Sequence, residues 1–216
     1  MELQGKKIVF LGDSITEGIG VKNPENIYWK RFENDGCQVY GYGVMGSKIA
    51  KQQSHFTKDY DHKYFRSRVP EMETNADIVV VFGGSNDFGH GDAVIGHMWH
   101  RTDDSFYGAL HLLYTDLINK YPKATIVVAT PLHRPDEQRE WNEIGLGTFL
   151  PLEGYVDIIK EVAAYYSFPV WDCYRNSGIN PSLEPIKKYY MADGVHPNDN
   201  GHEILYRRLK GFLQSI

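Results

Sequence analysis

The sequence predicts an α/β sandwich in three layers, a parallel sheet with helices on both faces. Three observations carry that prediction. Short runs rich in β-branched and apolar residues alternate with longer stretches of helical periodicity, the order that builds a parallel sheet from strand–helix–strand units. Several of these runs are apolar throughout rather than at every second position, as strands buried on both faces must be. No repeat or low-complexity tract interrupts the alternation, and 216 residues with 42% hydrophobic content suit one domain, 1–216, able to bury a substantial core.

Taken in order, the strands are expected at 7–11, 38–44, 77–82, 125–129 and 169–172. Between the third and fourth, Phe106, Leu110, Leu113 and Leu117 recur at helical spacing. Val156, Ile159, Ala163 and Tyr166 do the same between the fourth and fifth, and both sets should face the sheet. A last helix carries Leu205, Leu209 and Phe212 on one side. Asn200 followed by Glu203 has the spacing of a capping pair and is expected to start that helix, which puts His196 in the loop before it. Open parallel sheets bind ligands beyond the carboxyl ends of their strands, so the residues that follow each strand are where chemistry is to be sought.

Composition narrows the partners. The net charge is -5 and the basic residues are scattered, which speaks against nucleic acid or an anionic membrane surface. The first apolar run, 8–11, is too short for a signal-peptide core, and no stretch reaches the length of a bilayer span. A cytoplasmic location without membrane insertion is the expectation. Cys37 and Cys173 lack metal-ligand or CxxC spacing and are expected as buried thiols. No feature fixes an oligomeric state.

The first strand runs into Gly12-Asp13-Ser14-Ile15-Thr16-Glu17-Gly18, a turn that sets a hydroxyl at the sheet edge and makes Ser14 a candidate nucleophile. Serine needs a base within hydrogen-bond reach, and by itself such a turn is more often a plain connection with a helix-capping serine. The GxSxG elbow is absent, since Thr16 stands at its second glycine, and no phosphate loop is present. Asp193-Gly194-Val195-His196-Pro197 supplies the base: an Asp three residues before a His can hold Nδ1 and leave Nε2 free. After the third strand, Phe82-Gly83-Gly84-Ser85-Asn86-Asp87 offers the Asn86 amide as an oxyanion donor. After the second, Gly43-Val44-Met45-Gly46-Ser47 offers the Gly46 N–H. Singly, each glycine turn reads as an ordinary turn.

Together, and in this order, these blocks resemble the SGNH hydrolase family, the GDSL esterases and lipases. The Gly-Asp-Ser turn resembles the family's first block, Gly46 its second, Gly84-Ser85-Asn86-Asp87 its third and Asp193-Gly194-Val195-His196 its fifth. The resemblance implies a flavodoxin-like sheet of five strands ordered 2-1-3-4-5. It also implies catalytic roles: Ser14 as nucleophile, His196 as base, Asp193 as its orienting partner, and the Ser14 N–H, Gly46 N–H and Asn86 amide as oxyanion donors. One departure stands out, because the second block usually begins with asparagine where this chain has Gly41. Asp13 and Asp87 are expected to hold neighbouring backbone rather than to act as acids.

The resemblance points to ester hydrolysis through an acyl-enzyme, without metal or cofactor, on a small-molecule ester. Two long connections, 88–102 and 131–151, should wall the pocket, with Trp99, His133 and Trp141 as candidate substrate-binding residues. His97 and His100 lack a third ligand in any recognisable pattern and are expected as surface or lid histidines. Bulky side chains and the lack of a long apolar loop favour short acyl groups, and a carbohydrate O-deacetylase is one such enzyme. A lysophospholipase or broad acylhydrolase and a thioesterase use the same chemistry. A binding protein that had lost turnover would show a broken catalytic set, and a nucleotide-binding module would need a phosphate loop where Asp13 stands.

Overall fold

The computed structural model describes residues 1–52, 64–139 and 150–216. Five strands form one sheet: β1 (Lys7–Gly12), β2 (Gln38–Gly43), β3 (Ile78–Phe82), β4 (Thr125–Ala129) and β5 (Val170–Trp171). All neighbours pair in parallel, in the order β2-β1-β3-β4-β5, as the family resemblance implies. The strands end within a residue or two of the expected positions.

Alternation along the strands divides the core in two. Val9, Leu11, Val79, Val81, Ile126 and Val128 face one side, where they meet α4 (Phe106–Lys120) and α5 (Leu152–Tyr165). Ile8, Phe10, Ile78, Val80, Phe82 and Val127 face the other, against α8 (Asp199–Ser215) and the Tyr28–Phe32 segment. β1, β3 and β4 are thus buried on both faces, which is why their sequences lack polar alternation. β2, at the edge, is half-exposed along its length and correspondingly more polar. Phe106, Leu110, Leu113 and Leu117 of α4 are all buried. On α5, Val156, Ile159 and Ala163 are buried, while Tyr166 falls one residue past the helix as its C-cap.

The start of α8 corrects one expectation. Its N-cap is Asn198, whose side-chain oxygen accepts from the N–H groups of Asn200 and Gly201 at 2.9 and 3.1 Å. Asn200 therefore lies inside the first turn, and Glu203 turns to Arg207 and Arg31 instead of capping. Leu205, Leu209 and Leu213 are the buried stripe, with Phe212 half-buried beside them. Cys37 and Cys173 are free and buried. Among the described residues, no helix is long and apolar enough to cross a membrane.

Candidate active site

At the carboxyl end of β1 the chain turns directly into α1 (Ser14–Glu17). Asp13 is the N-cap and accepts the Ile15 N–H at 3.0 Å, so Ser14 opens the helix with its N–H outside the helical hydrogen-bond ladder. α8 packs beneath the opposite face and delivers the second component. The segment before it folds back on itself through an antiparallel bridge between Met191 and Pro197 and a bond from Ala192 N–H to His196 O of 2.8 Å. Within this turn, Asp193 Oδ1 accepts the N–H groups of Val195 and His196, each at 2.8 Å. Asp193 Oδ2 faces His196 Nδ1 at 2.7 Å, and His196 Nε2 lies 3.0 Å from Ser14 Oγ. The carboxylate requires the proton on Nδ1, which leaves the Nε2 lone pair toward the serine hydroxyl. Burial works against the Asp193 charge, but the imidazole and the two backbone N–H groups outweigh it and hold its carboxyl below the usual range.

The third component comes from β3, which leads through Gly84 into α3 (Ser85–His90). Asn86 Nδ2 donates to Ser47 O at 2.9 Å, and one of its two amide hydrogens remains for another acceptor. Gly46, just before Ser47, has φ +72°, a left-handed conformation that side chains other than glycine rarely adopt. The departure at Gly41 has a local cause: a Cβ there would lie 2.3 Å from the Trp29 ring, and that indole donates to Thr16 O at 2.8 Å. The strand position that usually carries asparagine is given over to packing an aromatic ring under the nucleophile helix.

Asp13 and Asp87 hold backbone, as expected. Asp87 accepts the N–H groups of Ile49 and Ala50 at 2.9–3.1 Å. Burial raises both carboxyls to about 6. Glu17 adds a contact that the sequence does not announce, accepting the Met45 N–H with its carboxylate.

Ser14, Met45, Gly46, Asn86, His90, Arg134, Asp193, Val195 and His196 line one open cleft of about 200 Å³. The three catalytic candidates and the three oxyanion candidates thus converge. Of the expected substrate-binding residues, Trp99 and His133 are not part of this lining. Trp99 is 71% exposed and packs edge-on against Tyr165, the last residue of α5. His133 turns to Glu137, 2.9 Å from Nδ1, and lies against the Tyr174 ring at 3.8 Å. Trp141 lies outside the described residues. In their place His90 and Arg134 wall the cleft. Arg134 is buried, donates to both carboxylate oxygens of Asp136 and lies over the Phe88 ring. His97 and His100 lie ring to ring at 3.7 Å, and among the described residues no group of three or more potential metal ligands forms.

The GDSL-like Lipase/Acylhydrolase family model matches residues 10–204, which span the whole constellation from β1 to α8. The chain belongs to this family. A search of curated proteins finds no match. Among solved structures, one relative is 29% identical with a TM-score of 0.87, covering 100% of this chain and 99% of the other. A Lactobacillus plantarum protein is 27% identical with a TM-score of 0.83, over 99% and 98% of the two chains. An acetyl xylan esterase, AlAXEase, shares the fold at 21% identity and a TM-score of 0.58, over 95% and 98%. As a GDSL-like acylhydrolase, the chain keeps serine, glycine, asparagine and histidine in one cleft. Arg68 and Glu17 escape sequence reasoning: each acts on backbone groups distant in sequence, and no motif marks them.

Proposed function

We propose that this acylhydrolase cleaves small O-acyl esters through an acyl-enzyme on Ser14. The observation that carries the reading is the continuous hydrogen-bonded line from Asp193 through His196 to Ser14 Oγ, ending in the cleft that Gly46 and Asn86 also line. Ser14 Oγ attacks the ester carbonyl while His196 Nε2 takes its proton. The carbonyl oxygen becomes an oxyanion that accepts from Ser14 N–H, Gly46 N–H and the second Asn86 amide hydrogen. His196 returns the proton to the departing alcohol. Water then attacks the acyl-enzyme, His196 again taking and returning the proton, and the acid leaves with Ser14 restored.

The size of the cleft supports a short acyl group. About 200 Å³ lies below the roughly 300–1,000 Å³ of pockets that enclose drug-sized ligands. Its described walls mix Met45 and Val195 with the polar His90, Asn86 and Arg134, a lining suited to a hydroxylated alcohol, and a carbohydrate O-acetyl ester is the substrate we put first. Hydrolysis of p-nitrophenyl acetate, butyrate and decanoate and of an acetylated xylose, by wild type and Ser14→Ala in parallel, tests this. Turnover that depends on Ser14 and falls with acyl length is expected. Equal rates for the two proteins would remove Ser14 as nucleophile, and rates rising toward decanoate would overturn the short-acyl reading.

A further inference from the structure

Arg68 closes the short helix α2 (Phe65–Arg68) and is only 8% exposed. Its Nη1 donates to Gly12 O at 2.8 Å and to Tyr42 O at 2.5 Å, and its Nη2 donates to Ser47 Oγ at 3.0 Å. Among the described residues its Nε has no hydrogen-bond partner. No carboxylate lies within ion-pair distance among the described residues, although Asp13 and Glu17 supply negative charge nearby; burial lowers the guanidinium to about 10, so it stays charged at neutral pH. Burying a cation against carbonyls and a hydroxyl, without a directly paired anion, is costly. An aliphatic side chain would fill the space without that cost.

The position of its acceptors suggests what the cation does there. Gly12 is the last residue of β1, two before Ser14. Tyr42 lies near the end of β2, from which the Gly46 loop departs. Ser47 follows Gly46, and its carbonyl receives the Asn86 amide. Gly12 O is also the acceptor for Val44 N–H at 3.3 Å. One guanidinium fork thereby joins the nucleophile strand, the Gly46 loop and, through Ser47, the Asn86 side chain. Arginine's planar, rigid donor set suits such bridging where lysine's single ammonium does not.

We propose that Arg68 is a positioning residue of the oxyanion hole, holding the Gly46 N–H and the Asn86 amide in register with Ser14. This rests on the serine-esterase reading above. A misplacement of about 1 Å among such donors costs on the order of 10²-fold in rate, so a lost fork should appear in turnover rather than in substrate binding.

The test compares wild type, Arg68→Lys, Arg68→Met and Ser47→Ala on p-nitrophenyl acetate, with thermal melts as the check on folding. Arg68→Lys should lower kcat about 10- to 100-fold with KM little changed. Affinity for a methyl trifluoromethyl ketone, which forms a tetrahedral oxyanion on a serine nucleophile, should weaken by the same factor as kcat/KM. Ser47→Ala, which removes one prong, should give a smaller loss in the same direction. A folded Arg68→Lys enzyme with wild-type kcat would overturn the proposal, as would a fall in kcat with unchanged ketone affinity. Should neither Arg68 variant fold, Ser47→Ala decides: wild-type turnover and ketone affinity overturn it. Wild type without Ser14-dependent hydrolysis would overturn the esterase reading together with this proposal, whereas Ser14-dependent hydrolysis that ignores Arg68 would overturn this proposal alone.

Discussion

Asp193 uses both carboxylate oxygens for different ends. Oδ1 shapes the turn by accepting two backbone N–H groups, and Oδ2 fixes the His196 tautomer. Asp193→Asn separates these tasks, since the amide oxygen can still hold the turn while its NH₂ presents hydrogens to Nδ1. The imidazole would then carry its proton on Nε2 and donate to Ser14 instead of accepting from it. A fall in kcat of up to about 10⁴-fold with a melting temperature close to wild type is expected, measured on p-nitrophenyl acetate. A comparable loss of both activity and melting temperature would instead assign Asp193 to the turn alone. That Ser14, Asn86, Asp193 and His196 would meet in one cleft could be expected from the sequence because their short blocks, ordinary turns when read singly, together resemble those of one family. Arg68 was not legible, because its acceptors lie at Gly12, Tyr42 and Ser47 and are mostly carbonyl oxygens, which any residue carries. That Trp99 and His133 stand outside the cleft lining was not legible for a related reason: an aromatic or imidazole in a long connection has no direction until the chain around it is folded.

α8 matters to the site through its first turn. Asn198 caps it by accepting from Asn200 and Gly201, and its own amide donates to Tyr189 O and Met191 O at 3.1 and 3.2 Å. The cap therefore also ties down the segment that carries Asp193 and His196. Asn198→Ala should destabilise the protein by about 1–2 kcal/mol, read by urea unfolding, and should lower kcat as well because the His196 turn loses two anchors. An unchanged midpoint would show that water replaces the cap at no cost. The sequence offered Asn200 and Glu203 as the capping pair, and the structure prefers Asn198 because the bridge from Met191 to Pro197 holds the chain extended until that residue. The long helices were readable from their buried stripes. α1, α2, α3, α6 (Cys173–Asn176) and α7 (Glu184–Tyr190), at four to seven residues each, span less than two turns and carry no periodicity to read. β5, only two residues long, was found from its flanking residues as much as from its own.

Across the whole molecule, buried ionisable groups pull stability in opposite directions with pH. Asp13 and Asp87 rise from 3.8 to about 6 on folding, so between those values the native state binds protons that the unfolded chain has released. Each then contributes stability that is lost as pH climbs through that window. His202 behaves oppositely: burial lowers it from 6.5 to about 3, the unfolded chain takes up its proton first, and stability falls as pH drops through the same region. Carboxylates held below 3.8, such as Asp193 and Asp172, lose their contribution only in stronger acid. These opposing slopes mask one another in wild type, so a single substitution is the cleaner measurement. Asp87→Asn removes one titration while keeping a neutral side chain of similar shape, which resembles the protonated form that prevails in the native state at pH 4.5. Its stability relative to wild type should improve between pH 4.5 and 7.5 by on the order of 2 kcal/mol, whatever constant offset the altered bonds to Ile49 and Ala50 introduce. Urea unfolding of both proteins at the two pH values measures the difference. A gap that stays constant would mean that Asp87 ionises in the folded protein as readily as in water, with its three hydrogen bonds to backbone offsetting the whole effect of burial.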